Sequence, residues 1–266
     1  MSVDQPVAAQ PQSHLGENMD MDARRKVSPS FKDATRIQES ITSGPERRAL
    51  YWLAARMPRA VNSDHLTLLG FAAMFLAGVS YSIARWHSIG LLLATFFLAV
   101  NWFGDSLDGT LARVRNCQRP RYGFYVDHVI DSFGALFLMS GLALSTYVNP
   151  WIACAMLISF LLLSIETYLA TYTIGTFRLS FARFGPTELR ILLALANAAL
   201  WFSPNAALPA FHLRLLDFVI PDAALPAFHL RLLDFGGLLG SCAMFLMAIV
   251  SAILHTRELY LKEPSP

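Results

Sequence analysis

Charged side chains are scarce in this chain, which has 266 residues. They make up 15% of the sequence, whereas apolar side chains make up 55%. Soluble globular domains carry about 25% charged residues, so the composition excludes an ordinary soluble protein and is typical of one that lies largely in a membrane. The formal net charge is only +2, and a nucleic-acid partner is not expected.

Lysine and cysteine are also rare. Only three of the 21 basic residues are lysines, and only three cysteines occur, none of them in a C-x-x-C pair. The cysteine spacing indicates neither a zinc site nor a disulfide framework. Arginine holds a phosphate group through two parallel hydrogen bonds, so its predominance suits a ligand that carries phosphate.

Apolar segments occupy most of the chain after residue 65. They cover residues 66–84, 88–104, 123–148, 151–165, 185–202 and 236–254. An uncharged stretch of about 20 residues is long enough to cross a bilayer as a helix. We predict an all-α membrane protein with six transmembrane helices, in one domain over residues 43–262.

The region ahead of the first span has two parts. Residues 1–42 are polar and lack apolar periodicity, which predicts a disordered tail. From residue 43 onward, Leu50, Leu53, Ala54 and Met57 form an apolar stripe opposite several arginines. This pattern predicts a short juxtamembrane amphipathic helix on the membrane surface.

The arginines also predict the orientation, because cytoplasmic loops retain positive charge. Arginines gather ahead of the first span, between spans two and three, between spans four and five, and after span six. The other loops carry Arg85 alone, no charge, or balanced charges. Both termini and the loop after span two are therefore predicted to be cytoplasmic.

Four aspartates stand at the ends of spans two and three, where an ionised group is costly and usually marks a function. Asp105 and Asp108 are three residues apart, and Asp127 and Asp131 are four apart, so each pair shares a helix face. Carboxylates select Mg²⁺ or Mn²⁺ where histidine and cysteine ligands are lacking. Two such ions would balance the charge of the four aspartates.

Small and basic residues surround these aspartates at fixed offsets. The pattern is DxxDGxxAR, then nine residues, then GxxxDxxxD, and its other members are Gly109, Ala112, Arg113 and Gly123. Small residues at this spacing are common where helices pack, and they also leave open space beside the helix. Arg113 is placed to hold a phosphate or to pair with an aspartate.

The pattern resembles the signature of the CDP-alcohol phosphotransferase (CDP-alcohol phosphatidyltransferase) family of membrane enzymes. The resemblance implies that a hydroxyl attacks the phosphorus of a CDP-linked alcohol and expels CMP, in phospholipid biosynthesis. It implies two Mg²⁺ or Mn²⁺ ions and a homodimer. The implied metal ligands are Asp105, Asp108, Asp127 and Asp131. The implied nucleotide-binding residues are Asp108, Gly109, Ala112, Arg113 and Gly123.

The proton-accepting base has two candidates. The resemblance favours Asp131, the fourth aspartate of the signature. His128 is the second, because Asp127-His128-x-x-Asp131-Ser132 is similar to the DHxxDS form of the choline and ethanolamine phosphotransferase branch. Without the resemblance, a histidine next to an aspartate is more often a polar surface residue than a catalytic base.

Two further stretches resemble the family. Gly185-Pro186-Thr187-Glu188, which opens span five, is similar to the choline and ethanolamine branch, and it also reads as a capped helix start. The candidates for binding the acceptor or its phosphate are Arg183, Glu188 and Arg190. Ser63-Asp64-His65-Leu66-Thr67 resembles the family's PNxxT entry to span one, with Ser63 and Asp64 in place of proline and asparagine.

Several functions fit these residues. The compact six-span size favours transfer of a phosphatidyl group from CDP-diacylglycerol to a small polar alcohol, whereas DHxxDS and GPTE fit CDP-choline or CDP-ethanolamine with diacylglycerol. An ion-coupled transporter also uses intramembrane aspartates, but it does not require glycine, alanine and arginine at fixed offsets. A prenyltransferase would carry Asn/Asp-rich motifs, of which Asn101 is the only hint.

A tandem repeat precedes the last span. AALPAFHLRLLDF occurs at residues 206–218 and again at 223–235. Two copies are too few for a stacked-repeat fold, which needs about three units. We predict that residues 206–235 form a duplicated extracytoplasmic loop, on the side opposite the aspartates.

Overall fold

The computed structural model describes residues 35–37, 43–178, 186–203 and 231–263, and this part of the chain contains seven helices. The helices are α1 Ser43–Arg56, α2 Ser63–Ile83, α3 Ile89–Val114, α4 Pro120–Leu144, α5 Pro150–Ile174, α6 Pro186–Phe202 and α7 Leu232–Lys262. Two three-residue strands, β1 Thr35–Ile37 and β2 Thr176–Arg178, pair in parallel with Thr35 opposite Thr176. Apart from these strands and the connecting loops, the described chain is helical, as the apolar segments predicted.

Five of the described helices are long and apolar enough to cross a membrane, namely α2, α3, α4, α5 and α7. The protein is therefore a multi-pass membrane protein. The fifth predicted span corresponds to α6, which has 17 residues. At 1.5 Å per residue α6 is about 25 Å long, a little less than the ~30 Å of a bilayer core. The sixth span stays a prediction.

Residues at the helix ends explain where several helices begin and stop. Asn149 caps α5, since its side chain accepts a hydrogen bond of 2.9 Å from the backbone of Trp151, and Pro150 occupies the first turn. The same helix ends at Gly175, whose φ of 79° lies in the left-handed region that glycine adopts readily. The fourth predicted span, residues 151–165, therefore lies in a longer helix that stops at Ile174, before β2.

The start of α7 differs from the prediction. The helix begins at Leu232, four residues before the predicted Gly236. Asp234 is buried and accepts hydrogen bonds from the backbone N–H of Arg231 at 3.1 Å and of Asn149 at 2.6 Å. The end of the second repeat copy is thus a helix cap tied to the start of α5, not a loop. Residues 206–230 of the predicted loop lie outside the described part, as do residues 1–42 apart from β1.

Helix α2 packs against both α3 and α4. Glycines allow a very close crossing between α2 and α3: a Cβ on Gly104 would lie 2.6 Å from the backbone oxygen of Leu66 and 2.7 Å from the backbone nitrogen of Gly70. Deeper in the bundle, Tyr81, Leu91, Leu98 and Leu142 are almost fully buried in the main apolar core. Because Gly104 lies so close to α2, this crossing also fixes the position of the next residue, Asp105, beside α2.

Helix α1 lies where the amphipathic helix was predicted, and its apolar stripe packs on other helices. Leu50 and Ala54 are buried in a second apolar cluster with Leu107 and Leu111 of α3. The loop after α1 is held by Arg115, which donates hydrogen bonds to backbone oxygens in that loop, including those of Met57 at 3.0 Å and Pro58 at 2.9 Å. The position of α1 at the membrane surface stays a prediction.

Candidate active site

Three of the four aspartates meet where the end of α3 faces the beginning of α4. Asp105, Asp127 and Asp131 each offer a carboxylate oxygen, and these oxygens lie within 4.8 Å of one another. Asp127 and Asp131 share a face of α4 because they are one helical turn apart. Asp105 and Asp127 are half-buried, whereas Asp131 is exposed.

Asp108, the fourth aspartate, is held by the start of α2. Its Oδ2 accepts a hydrogen bond of 2.6 Å from the hydroxyl of Thr67, and its Oδ1 accepts one from the backbone N–H of Gly109. Ser63 donates to the backbone oxygen of Asp108 at 2.9 Å. Asp108 therefore lies beside the group of three. Thr67 and Ser63 belong to the stretch that resembles the PNxxT entry. This resemblance is the feature of the sequence that could have pointed to these two contacts.

A cleft runs past all four aspartates. Its other lining residues are Thr67, Gly70, Phe71, Met74, Asn101, Ile130 and Gly134. The acidic groups form one part of this lining, and Phe71, Met74 and Ile130 form an apolar part. Such a cleft suits a ligand with a charged head and an apolar body.

Arg190 of α6 reaches the aspartate group. Its Nη2 donates a hydrogen bond of 2.6 Å to Oδ2 of Asp105, and 13% of the Arg190 side chain is exposed. Of the other predicted acceptor-binding residues, Glu188 lies in the first turn of α6, and Arg183 falls outside the described part.

Glu46 of α1 connects three helices beside this point. Its Oε1 accepts hydrogen bonds from Nε1 of Trp102 on α3 at 2.7 Å and from the hydroxyl of Thr187 on α6 at 2.8 Å. Thr187 lies one turn before Arg190, so Glu46 helps to fix the turn that presents this arginine. Sequence reasoning missed Glu46 and Trp102, because these contacts join residues 56 and 141 positions apart.

The signature glycines next to the site are not packed against other helices in the described part. A Cβ on Gly109 would meet only Nη1 of Arg113, at 3.8 Å, and a Cβ on Gly123 would meet nothing within 4 Å. Arg113 is exposed, and its Nη2 donates to the hydroxyl of Thr110 at 3.0 Å. Helix packing therefore does not explain these glycines, and the open space beside them suits a ligand. Ala112 is half-buried.

His128 lies between aromatic rings on α4 and α5. Its Nδ1 donates to the backbone oxygen of Phe124 at 2.6 Å. Its ring centroid is 4.1 Å from that of Phe124 and 4.4 Å from that of Tyr168. The hydrogen bond to Phe124 fixes the proton of a neutral imidazole on Nδ1, so Nε2 carries the lone pair. His128 does not belong to the group of three carboxylates.

Asp64 lies at the surface and away from the group of three. It forms an ion pair with Arg119, and both side chains are about half exposed, at 50% and 52%. The guanidinium of Arg119 also stacks on Tyr122, 4.1 Å from the ring centroid. An exposed pair of this kind contributes little to stability, on the order of 0–1 kcal/mol.

The donor set fits a hard divalent cation. The polar side chains that line the cleft offer carboxylate, hydroxyl and amide oxygens, which Mg²⁺ and Mn²⁺ prefer. Asn101 adds an independent sign, because its Oδ1 is buried and has no hydrogen-bond partner among the described residues. Asp105, Asp127 and Asp131 would hold the cation, with Asp108 beside them.

Comparison with known proteins identifies a family whose sequence model matches this chain. The sequence model of the CDP-alcohol phosphatidyltransferase family matches residues 61–225, which is more than half of the chain and includes all four aspartates. Archaetidylinositol phosphate synthase from Pyrococcus horikoshii is 30% identical over 89 residues. That alignment covers 34% of this chain and 44% of the relative, so the chain spans less than half of the relative's length.

Proposed function

This chain belongs to the CDP-alcohol phosphatidyltransferase family, and we propose that it moves a phosphatidyl group from CDP-diacylglycerol to a small polar alcohol, with release of CMP. The observation that carries the proposal is the meeting of Asp105, Asp127 and Asp131 within 4.8 Å, in a cleft with an apolar side. The carboxylates would hold the cations that a diphosphate needs, and the apolar side of the cleft would contact the acyl chains of the lipid.

The carboxylates suit two divalent cations. When bound, Mg²⁺ or Mn²⁺ supplies positive charge for the diphosphate and stabilises the attacking and leaving oxygens of an in-line displacement. The residues proposed to hold the ions are Asp105, Asp108, Asp127 and Asp131. Thr67 fixes one oxygen of Asp108 through the bond of 2.6 Å, which orients this carboxylate before any ligand arrives.

Asp131 is the proposed base. The hydroxyl oxygen of the acceptor forms a bond to the phosphorus of the lipid-bearing phosphate, and its proton passes to a carboxylate oxygen of Asp131. The bond from that phosphorus to the oxygen of CMP breaks, and CMP leaves with the electron pair. The grouping of Asp131 with Asp105 supports this role, whereas His128 does not belong to the group of three carboxylates.

The nucleotide is proposed to lie beside the last turns of α3. Gly109 and Gly123 leave open space there, and Arg113 is exposed. Its guanidinium is proposed to hold a phosphate oxygen of the nucleotide through charge-assisted hydrogen bonds. Ala112 completes this small-residue surface.

The acceptor is proposed to lie on the α6 side of the cleft. Arg190 extends from α6 to Asp105, and a guanidinium at this point suits an acceptor that carries a phosphate. The name of the relative from P. horikoshii, archaetidylinositol phosphate synthase, supports a phosphorylated polar alcohol. Glu188, in the first turn of α6, is a further candidate on this side. Arg183 lies outside the described part and stays a candidate from the sequence.

The arginine distribution supports a cytoplasmic active site and cytoplasmic termini, since the loop between α3 and α4 carries Arg115, Arg119 and Arg121. A homodimer is part of the proposal through the family resemblance alone.

One assay tests the reaction. Purified protein in lipid nanodiscs would receive labelled CDP-diacylglycerol, CDP-choline or CDP-ethanolamine, each with a panel of acceptors that includes inositol phosphate, glycerol phosphate and diacylglycerol. We expect CMP release and a labelled lipid product with CDP-diacylglycerol and a polar acceptor. Turnover with CDP-choline or CDP-ethanolamine and diacylglycerol instead would assign the chain to the other branch. Ion flux into vesicles without CMP release would favour a transporter.

A further inference from the structure

Asn101 is a buried residue with one unsatisfied atom in the active-site cleft. It lies on α3 one turn before Asp105, is 6% exposed and lines the same cleft. Its Nδ2 donates a hydrogen bond of 3.0 Å to the backbone oxygen of Gly70. Its Oδ1 is buried and has no hydrogen-bond partner among the described residues.

The orientation of this amide follows from its neighbour. The oxygen of Gly70 only accepts hydrogen bonds, so the amide nitrogen of Asn101 must face it. The amide oxygen therefore faces away from Gly70. Turning the amide over would bring two oxygens together and lose the hydrogen bond.

An unsatisfied buried oxygen destabilises the fold relative to an apolar side chain of the same size. Asn197 on α6 shows how this fold treats a structural asparagine: its Oδ1 accepts from the hydroxyl of Tyr81 at 3.0 Å, and its Nδ2 donates to the hydroxyl of Thr95 at 3.0 Å. Both ends of Asn197 are satisfied, whereas Asn101 has only one end satisfied. Asn101 thus has the character of a residue retained for a ligand.

We infer that Oδ1 of Asn101 is a neutral oxygen ligand for a divalent cation held by Asp105 and its neighbours. This inference rests on the proposed metal-dependent function. Residues four apart on a helix have their Cβ atoms about 5–6 Å apart, so Asn101 and Asp105 can share one ion. An amide oxygen is a hard ligand that Mg²⁺ and Mn²⁺ accept.

A neutral ligand also has an electrostatic advantage here. The cleft already contains four carboxylates, and a fifth would add repulsion when no cation is bound. The Asn101 oxygen adds a coordination position without adding charge.

Manganese binding provides a test that does not depend on turnover. The free Mn²⁺ signal in electron paramagnetic resonance would be titrated with purified protein in detergent, without substrate, and thermal unfolding would be followed in parallel. The variants are Asn101→Leu and Asn101→Asp, with Asn197→Leu as the matched control. We expect Asn101→Leu to weaken Mn²⁺ binding about tenfold or more without lowering Tm in the absence of metal.

The two other variants should separate ligation from folding. Asn101→Asp retains an oxygen ligand and should bind Mn²⁺ at least as tightly as the unmodified protein. Asn197→Leu should lower Tm, because it leaves Tyr81 and Thr95 without their partner, while Mn²⁺ affinity stays unchanged. If Asn101→Leu does not fold, the comparison of Asn101→Ala with Asn101→Asp decides, because alanine removes the oxygen without adding bulk.

Unchanged Mn²⁺ affinity in Asn101→Leu or Asn101→Ala would overturn the inference. It would mean that Oδ1 of Asn101 binds an ordered water and no cation. If the unmodified protein fails to bind Mn²⁺, both the inference and the metal part of the proposed function are wrong. If it binds Mn²⁺ through Asn101 but releases no CMP, the proposed reaction is wrong and the ligand assignment stands.

Discussion

Arg190 donates a hydrogen bond of 2.6 Å to Asp105, so a cation from α6 touches one of the three carboxylates that meet between α3 and α4. The contact joins residues 85 positions apart. It makes α6 part of the candidate active site, although this helix carries none of the four aspartates.

Replacement of Arg190 tests this contact. Arg190→Ala should lower kcat/KM about 10- to 100-fold, because a hydrogen bond between charged groups contributes about 1.5–3 kcal/mol and its loss frees Asp105 to reorient. Arg190→Lys should recover part of the activity, since lysine keeps the charge but not the planar fork. CMP release against acceptor concentration measures both. A loss confined to the acceptor KM would indicate that Arg190 binds the acceptor and does not orient Asp105.

Metal removal is the second prediction. Activity should vanish in excess chelator and return with Mg²⁺ or Mn²⁺, because carboxylates within 4.8 Å repel each other by about 1–4 kcal/mol per pair and cannot orient a diphosphate unaided. The assay is CMP release before chelation, after it, and after readdition of metal. Full turnover in chelator would exclude the two-metal mechanism.

The third prediction separates the two candidate bases. Asp131→Asn keeps the shape of the side chain and removes its charge, so it should abolish turnover. His128→Ala should lower kcat less than tenfold, because His128 does not belong to the group of three carboxylates and its ring packs against Tyr168. Turnover with CDP-diacylglycerol and binding of the CDP-lipid measure the two effects.

A general base contributes about 10²- to 10⁴-fold in rate. A hundredfold fall in kcat for His128→Ala, with unchanged affinity for the CDP-lipid, would therefore make His128 the base. That result would also favour the choline and ethanolamine branch.

The fourth prediction concerns Glu46, which lies before the range that the family model matches. Glu46→Ala leaves the indole of Trp102 and the hydroxyl of Thr187 without their acceptor, so it should destabilise the protein by about 1.5–3 kcal/mol and reduce turnover. Glu46→Gln keeps an oxygen at the same position and should retain most of both. Thermal unfolding in detergent and CMP release are the measurements. Equal losses in the two variants would show that the charge of Glu46, and not its role as a shared acceptor, is what matters.

The helices and the faces of the aspartates were predictable because both depend on local spacing. A run of uncharged residues predicts a helix over 66–84, and α2 covers Ser63–Ile83. The interval of four between Asp127 and Asp131 places them on one face wherever the helix lies. No neighbouring element is needed for these two inferences.

The grouping of the carboxylates was not predictable in the same way. Which three aspartates meet depends on how α2, α3 and α4 cross, and the close contact of Gly104 with Gly70 fixes only the crossing of α2 with α3. The same crossing brings Thr67 to Asp108 and draws that carboxylate aside. Periodicity within one helix contains no information about a contact between residues 41 positions apart.

The position of Asp234 at the end of the second repeat copy has a consequence for how the length of this chain can change. The sequences at 206–218 and 223–235 are identical, so loss of residues 206–222 and loss of residues 219–235 produce the same polypeptide. In either case the last copy still runs directly into Gly236, and the arginine and aspartate that begin α7 are regenerated. Loss of one repeat unit therefore shortens the chain while the residues that cap α7 are kept.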